Sequence, residues 1–200
     1  MKAILISDHA KWCALMMNGK KKVEVRKGTA LYKATKKLID EYGYAEFCVY
    51  CTKNKVGLYD NHNHITSASD KYFLDTLGYD KPPLLNGKAI FKFRCYKVEQ
   101  FTLKMIKGGL YFSSSGSIDF PNEEAQLDNF ELLDYAGEKL GTKICAIHIS
   151  DLEIFDKPKE LSEFYYWNVI KNNKYIYGEF PLRTPLTKAP QNFCYVEVVR

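Results

Sequence analysis

The chain has 200 residues, of which 46% are hydrophobic and 14% aromatic, and its formal net charge is +5. That apolar share excludes an intrinsically disordered chain, and the modest positive charge admits a polyanionic partner without requiring one. No apolar run approaches the ~20 residues of a membrane-spanning helix, and the apolar start at residues 3–6 is too short for a secretory signal, so a cytoplasmic protein without membrane contact is expected.

In chain order, residues 2–6 read as a strand. Ser7 and Asp8 suit the N-cap of a helix in which Trp12, Leu15 and Met16 recur at helical spacing, and Asn18-Gly19 supplies its stop. Residues 22–26 alternate polar and apolar, the period of a half-buried strand. A helix is predicted over 30–42, with Leu31, Ala34, Leu38 and Ile39 on one face and Lys36 and Lys37 on the other. Residues 46–51 form a strong strand. Residues 53–85 are polar, with Gly57, Gly78 and Pro82-Pro83, and predict a long excursion. Strand alternation resumes over 88–96, with Ala89, Phe91, Phe93 and Cys95 on one face, and is expected to continue through Phe101. Residues 107–117 read as a Gly- and Ser-rich loop. Pro121 or Asn122 starts a short helix, and a further helix covers 129–139, stopping at Gly141. Residues 144–155 alternate as a strand interrupted by His148, Ser150 and Asp151; 158–164 read as a turn, 165–180 are aromatic without a clear assignment, and 193–199 form a final strand. About six short strands with helices near the start and middle make an α+β chain around a small barrel or strongly curved sheet. No linker divides it, so one domain over 1–200 is expected, with an insertion at about 53–85.

The sharpest chemical feature is Gly19-Lys20-Lys21-Lys22-Val23-Glu24-Val25-Arg26. Gly19 lets the chain turn tightly out of the first helix. Lys22, Glu24 and Arg26 project from one face of the following strand, and Lys21 sits at the turn. Arginine offers a planar fork for phosphate or base edges, lysine a point charge; Glu24 can hold Arg26, accept from a base amino group or accept a proton. The competing reading is a solvated strand face with ordinary ion pairs.

Other features carry weaker signals. Cys48-x-x-Cys51 lies in a predicted strand, where residues three apart face opposite sides, and no second pair accompanies it, so no metal is expected. The six cysteines are scattered in mostly apolar surroundings and should stay unpaired in a reducing compartment. His62-Asn63-His64 is a loop pair without a clear third ligand. His148 and Ser150 share one strand face and are candidates to line a cleft with Lys21 or Glu24. The Gly108-Gly109 to Gly116 stretch lacks the ending of a phosphate loop and reads as a flexible loop able to cover a cleft; no cofactor is expected. Trp12, beside the charged motif, is either core or a base-stacking ring. Tyr50 and Lys53 leave a predicted strand, and Arg183, Lys188 and Gln191 precede the last one; with Trp12 they compose a basic rim with aromatic interleaving, as single-stranded nucleic acid recognition uses.

The motif Gly19-x-Lys21-x-x-Glu24-x-Arg26 resembles that of the ASCH family at every defined position, and it follows a helix near the N-terminus as there. His148-Ile149-Ser150-Asp151-Leu152 and the ending Pro185 to Val196 resemble small ASCH-like proteins of phages and prophages in Gram-positive bacteria. The resemblance implies a PUA-like β-barrel with flanking helices, a cleft between barrel and helix, and a role in binding RNA or nucleotides. Some small family members deacylate an N-acetylated cytidine with a Lys and a Thr of this segment. Lys21 stands at that Lys, but Glu24 stands where the Thr would be, and a carboxylate does not replace a hydroxyl nucleophile in that mechanism.

Three functions follow from these residues. The first is binding of RNA, single-stranded nucleic acid or a nucleotide by Trp12, Lys21, Glu24, Arg26, Tyr50, Lys53, His148, Ser150 and Gln191. The second is a hydrolase of amidohydrolase or ribonuclease type, with Lys21 and Glu24 as a proton-transfer pair acting on a water. The third is a phage protein-interaction factor that meets a protein partner through 53–85.

Overall fold

The computed structural model describes residues 2–53, 85–114, 120–167 and 184–198. Nearly all of the 53–85 excursion, residues 168–180, His62, His64 and Arg183 therefore lie outside the described residues. The described chain is α+β, with ten strands and four helices arranged in two compact units, each drawn from separated segments.

The first unit comprises Met1–Cys13, Glu46–Lys92 and Ile154–Arg200. Its sheet is open, with strand order β8-β4-β3-β1-β10-β9. Here β1 is Lys2–Asp8, β3 Ala45–Cys51, β4 Ala89–Cys95, β8 Ser150–Lys159, β9 Phe164–Tyr166 and β10 Phe193–Val198. β1 runs parallel to β3, with Ile4 opposite Phe47, and antiparallel to β10, with Ile4 opposite Tyr195. Ala3, Ile4, Leu5 and Ile6 are all fully buried, so both faces of β1 are covered, which explains why this run is continuously apolar rather than alternating. A core of Ala3, Leu5, Cys48, Tyr50, Ala89, Phe155, Phe164, Leu186 and Val196 packs within this unit. Ser7 and Asp8 extend β1 instead of capping a helix; the Asp8 carboxylate accepts the His9 backbone N–H at 2.9 Å, and α1 begins at Ala10 and runs to Met17.

The second unit comprises Ala14–Ala45 and Phe93–Glu153. Its open four-stranded sheet has the order β2-β7-β5-β6, with β2 at Val23–Lys27, β5 at Val98–Ile106, β6 at Gly109–Ser113 and β7 at Lys143–His148. All of its neighbouring strands run antiparallel. Helix α2, Ala30–Tyr42, covers the residues expected of it and packs against β5. It buries Leu31, Ala34, Thr35 and Leu38, leaves Lys36 and Lys37 exposed, and ends at Gly43, whose N–H donates to the Ile39 carbonyl at 2.8 Å. Two short helices follow β6: α3, Asn122–Ala125, and α4, Asn129–Ala136. Asp128 caps α4 through a capping box with Glu131.

Three strand readings are corrected by the structure. The stretch expected as one strand from 88 through Phe101 breaks at Tyr96-Lys97 into β4 and β5. The loop expected at 107–117 begins instead as a hairpin: Lys107 and Gly108, with φ of 48° and 81°, make the two-residue turn between β5 and β6. Two successive positive φ values match the twist of the strands they join, which a glycine-rich composition alone does not reveal. The single strand expected over 144–155 is two, because Ile149 intervenes between His148 and Ser150 and donates its N–H to the Lys22 carbonyl at 2.9 Å.

Candidate functional site

The charged motif lies within the second unit. Gly19, at φ 73°, turns the chain after α1, and the Lys21 N–H donates back to the Leu15 carbonyl at 2.8 Å. That turn delivers Lys21 to the start of β2, two residues before the strand pairing begins with Val23 opposite His148. The Lys22 N–H donates to the Glu124 carbonyl at 2.7 Å, which ties α3 to the entrance of β2. Lys22 itself is exposed and stands outside the strand.

Lys21, Glu24 and Arg26 form one buried ionic group. Lys21 is 2% exposed and Glu24 4%. The Arg26 side chain is 11% exposed. Lys21 Nζ donates to the Ala125 carbonyl at 2.7 Å and lies 3.6 Å from Glu24 Oε2. The other carboxylate oxygen, Oε1, is 2.7 Å from Arg26 Nε. Glu24 thus stands between both cations, with one oxygen toward each. In low dielectric such a group is held tightly, because separating any member strands a charge. The motif is therefore a packed ionic cluster and not a solvated strand face.

Strand register sorts the remaining residues by face. Glu24 pairs with Ile147 and Arg26 with Cys145, while Val23 pairs with His148 and Glu99 with Ala146. Side chains alternate along a strand and cross-strand partners share a face. His148 and Glu99 consequently lie on the face opposite Glu24 and Arg26. There His148 Nε2 is 2.6 Å from Glu99 Oε2, and Lys97 Nζ lies 2.9 Å from the same oxygen. Burial works to raise the Glu99 carboxyl, but hydrogen bonds from Lys97 and His148 outweigh it and hold the pKa below its ordinary value. Ser150 opens a different strand and does not share a strand face with His148.

The other candidates belong to the first unit. Tyr50 is 4% exposed and part of its core, because β3 is buried along its whole length. Trp12 is half-buried, with Lys11 Nζ 4.4 Å from its ring centroid. Lys53, Lys188 and Gln191 are exposed. His9, which carries no motif, faces Thr52, with Nδ1 3.3 Å from Thr52 Oγ1. Cys48 and Cys51 are both fully buried, and burial pushes the Cys48 thiol up to about 12. A separate shallow concavity of about 460 Å³ lies along the outer side of α2, lined by Tyr32, Lys33, Lys36, Lys37, Asp40 and Glu41; it includes none of the motif residues. No helix among the described residues is long and apolar enough to cross a membrane.

One polar residue on the motif's face carries no sequence signal. Gln100 pairs with Cys145 from the side opposite Arg26, which places Arg26, Cys145 and Gln100 in one row across three strands. Period-two alternation over 98–102 could have located its face, but not its partners.

No family model matches the chain, and no curated protein matches it. Among solved structures it is similar to ASCH from Zymomonas mobilis, with a TM-score of 0.45 and 15% identity, covering 80% of this chain and 73% of that one. It is likewise similar to the Y47F mutant of that Zymomonas mobilis protein, with a TM-score of 0.46 and 15% identity over 80% of this chain and 77% of the other.

Proposed function

We propose that this is an ASCH-type protein of PUA-like architecture, and that it binds RNA, single-stranded nucleic acid or a nucleotide at the Lys21–Glu24–Arg26 face of the second unit. The observation that carries the reading is the way Glu24 holds Arg26. The contact at 2.7 Å is made through Nε, the inner nitrogen. Lys21 backs the same carboxylate at 3.6 Å and is itself anchored on the Ala125 carbonyl. A guanidinium whose position is fixed in this way is pre-organised for contact with phosphate or a base edge. The match of Gly19, Lys21, Glu24 and Arg26 to the family motif supports the same site.

The geometry favours binding over catalysis. Glu24 faces a cation through each of its two oxygens, which suits a residue that positions Arg26 better than one that takes a proton. The test is a titration of short RNA and DNA oligonucleotides and nucleoside monophosphates against wild type and Arg26→Met, at several salt concentrations. Wild-type affinity should fall as salt rises. Arg26→Met should weaken binding about tenfold and flatten that salt dependence, as expected for loss of a charge-assisted contact. Equal affinity of the two proteins for every probe, with circular dichroism confirming that both are folded, rejects the site.

A further inference from the structure

Gln100 lies on β5, two strands away from Arg26 on β2, and both pair with Cys145 on the intervening β7. Their side chains therefore share one face, with Glu24 one residue pair along on the same face. Cys145 is fully buried, and its thiol registers this neighbourhood: burial pushes it up to about 12, Glu24 adds to the rise and Arg26 opposes it. The polar side chains of Arg26 and Gln100 thus flank a small thiol. Their strands are two spacings apart, about 9–10 Å at the backbone. Groups so separated meet a ligand at two places instead of gripping one atom.

Among the described residues, the Gln100 side chain is not fully used. Its Nε2 is buried and has no hydrogen-bond partner among the described residues. Buried amide donors without an acceptor are rare in native structures, and each calls for an explanation such as a functional role or a bound water or ion. The pairing of β6 with β5 runs from Thr102 opposite Ser113 to Ile106 opposite Gly109, and Gln100 lies beyond that stretch. A neutral amide also suits a base edge, where carbonyl oxygens and ring nitrogens accept.

We propose that Gln100 reads the nucleobase of a bound nucleotide, donating from Nε2 to a base carbonyl oxygen or ring nitrogen, while Arg26 holds the phosphate side of the same ligand. This rests on the binding reading of the preceding section and adds a residue and a division of labour to it. The substitution that separates the two is Gln100→Met, which keeps the length of the side chain and removes its polar end. Two quantities are measured on the full chain: the melting temperature without ligand, and affinity for the four common nucleoside 5′-monophosphates and for inorganic phosphate.

The melting temperature of Gln100→Met should rise, because an unmatched buried donor is gone. Affinity for the best-bound nucleotide should fall roughly three- to tenfold, the differences among the four bases should shrink, and phosphate binding and the salt dependence should be unchanged. A lower melting temperature, or a variant that does not fold, shows that the amide is satisfied inside the fold and overturns the proposal. A higher melting temperature with nucleotide affinities unchanged overturns it equally. If wild type binds none of the nucleotides or oligonucleotides, the binding reading itself fails and the role of Gln100 falls with it; if wild type binds and Gln100→Met binds alike, only the role of Gln100 falls.

Discussion

Replacing Glu24 with glutamine tests whether the motif is one ionic unit. Glu24 is 4% exposed, with Lys21 Nζ 3.6 Å from one oxygen and Arg26 Nε 2.7 Å from the other. Glutamine preserves the shape but removes the charge, leaving two cations in a site that excludes water. Breaking a buried ion pair by removing one partner costs about 3–5 kcal/mol. Here the lower end applies, since the Arg26 side chain is 11% exposed and Lys21 keeps the Ala125 carbonyl at 2.7 Å. An expected loss of about 3 kcal/mol, divided by a urea slope of about 2 kcal/mol/M, lowers the unfolding midpoint by about 1.5 M. Far-UV circular dichroism is the appropriate probe, because both tryptophans, Trp12 and Trp167, belong to the first unit while Glu24 belongs to the second. The double variant Glu24→Gln with Arg26→Met should recover more than half of the loss, since it removes one of the stranded charges. A loss below about 1 kcal/mol in the single variant, with an unchanged urea slope, would refute the view of a buried, mutually dependent cluster.

Further expectations follow from other parts of the molecule. Asp128→Ala removes the side chain that accepts the Glu131 N–H at 2.7 Å and should cost about 1 kcal/mol in urea unfolding, whereas an unchanged midpoint would mean that the capping box does not stabilise α4. Because Glu99 has a lowered folded-state pKa, its contribution to stability is present above the ordinary carboxyl value of 4.5 and is lost as pH falls through the folded value; melting temperatures of Glu99→Gln between pH 3 and 6 should decline less steeply than those of wild type, and parallel curves would contradict this. The thiols of Cys48, Cys95 and Cys145 are pushed up to about 12, chiefly by burial, so stability is present below the ordinary value of 9.0 and is lost as pH rises toward 12. At pH 8 an aromatic disulfide reagent should therefore label Cys194 first, whose thiol reaches only about 11, and prompt labelling of all six cysteines would count against this burial.

The clearest patterns in the sequence translated directly into structure. The 3.6-residue period over 30–42 became α2 over those same residues, because one apolar stripe and one charged stripe admit only one orientation against a sheet. Alternation over 22–26 located β2 within one residue. Less was legible where a conformation depended on a few dihedrals: the Lys107-Gly108 turn follows from two positive φ values that composition does not encode. The grouping of Lys21, Glu24 and Arg26 was readable because their spacing is short. The separation of His148 from that group was not, because it depends on the pairing register of β2 with β7.

The amino-acid sequence by itself determined which residues carry charge into the fold, that they come from one eight-residue stretch, and that a glycine turn precedes them. Local propensity and short-range spacing suffice for this. Only the tertiary structure decided that Lys21 and Glu24 are buried, that Arg26 is held through its inner nitrogen, and that Gln100, 74 residues further along the chain, shares their face. Those outcomes rest on strand pairing between distant segments, where a shift of one residue would send every one of these side chains to the opposite face.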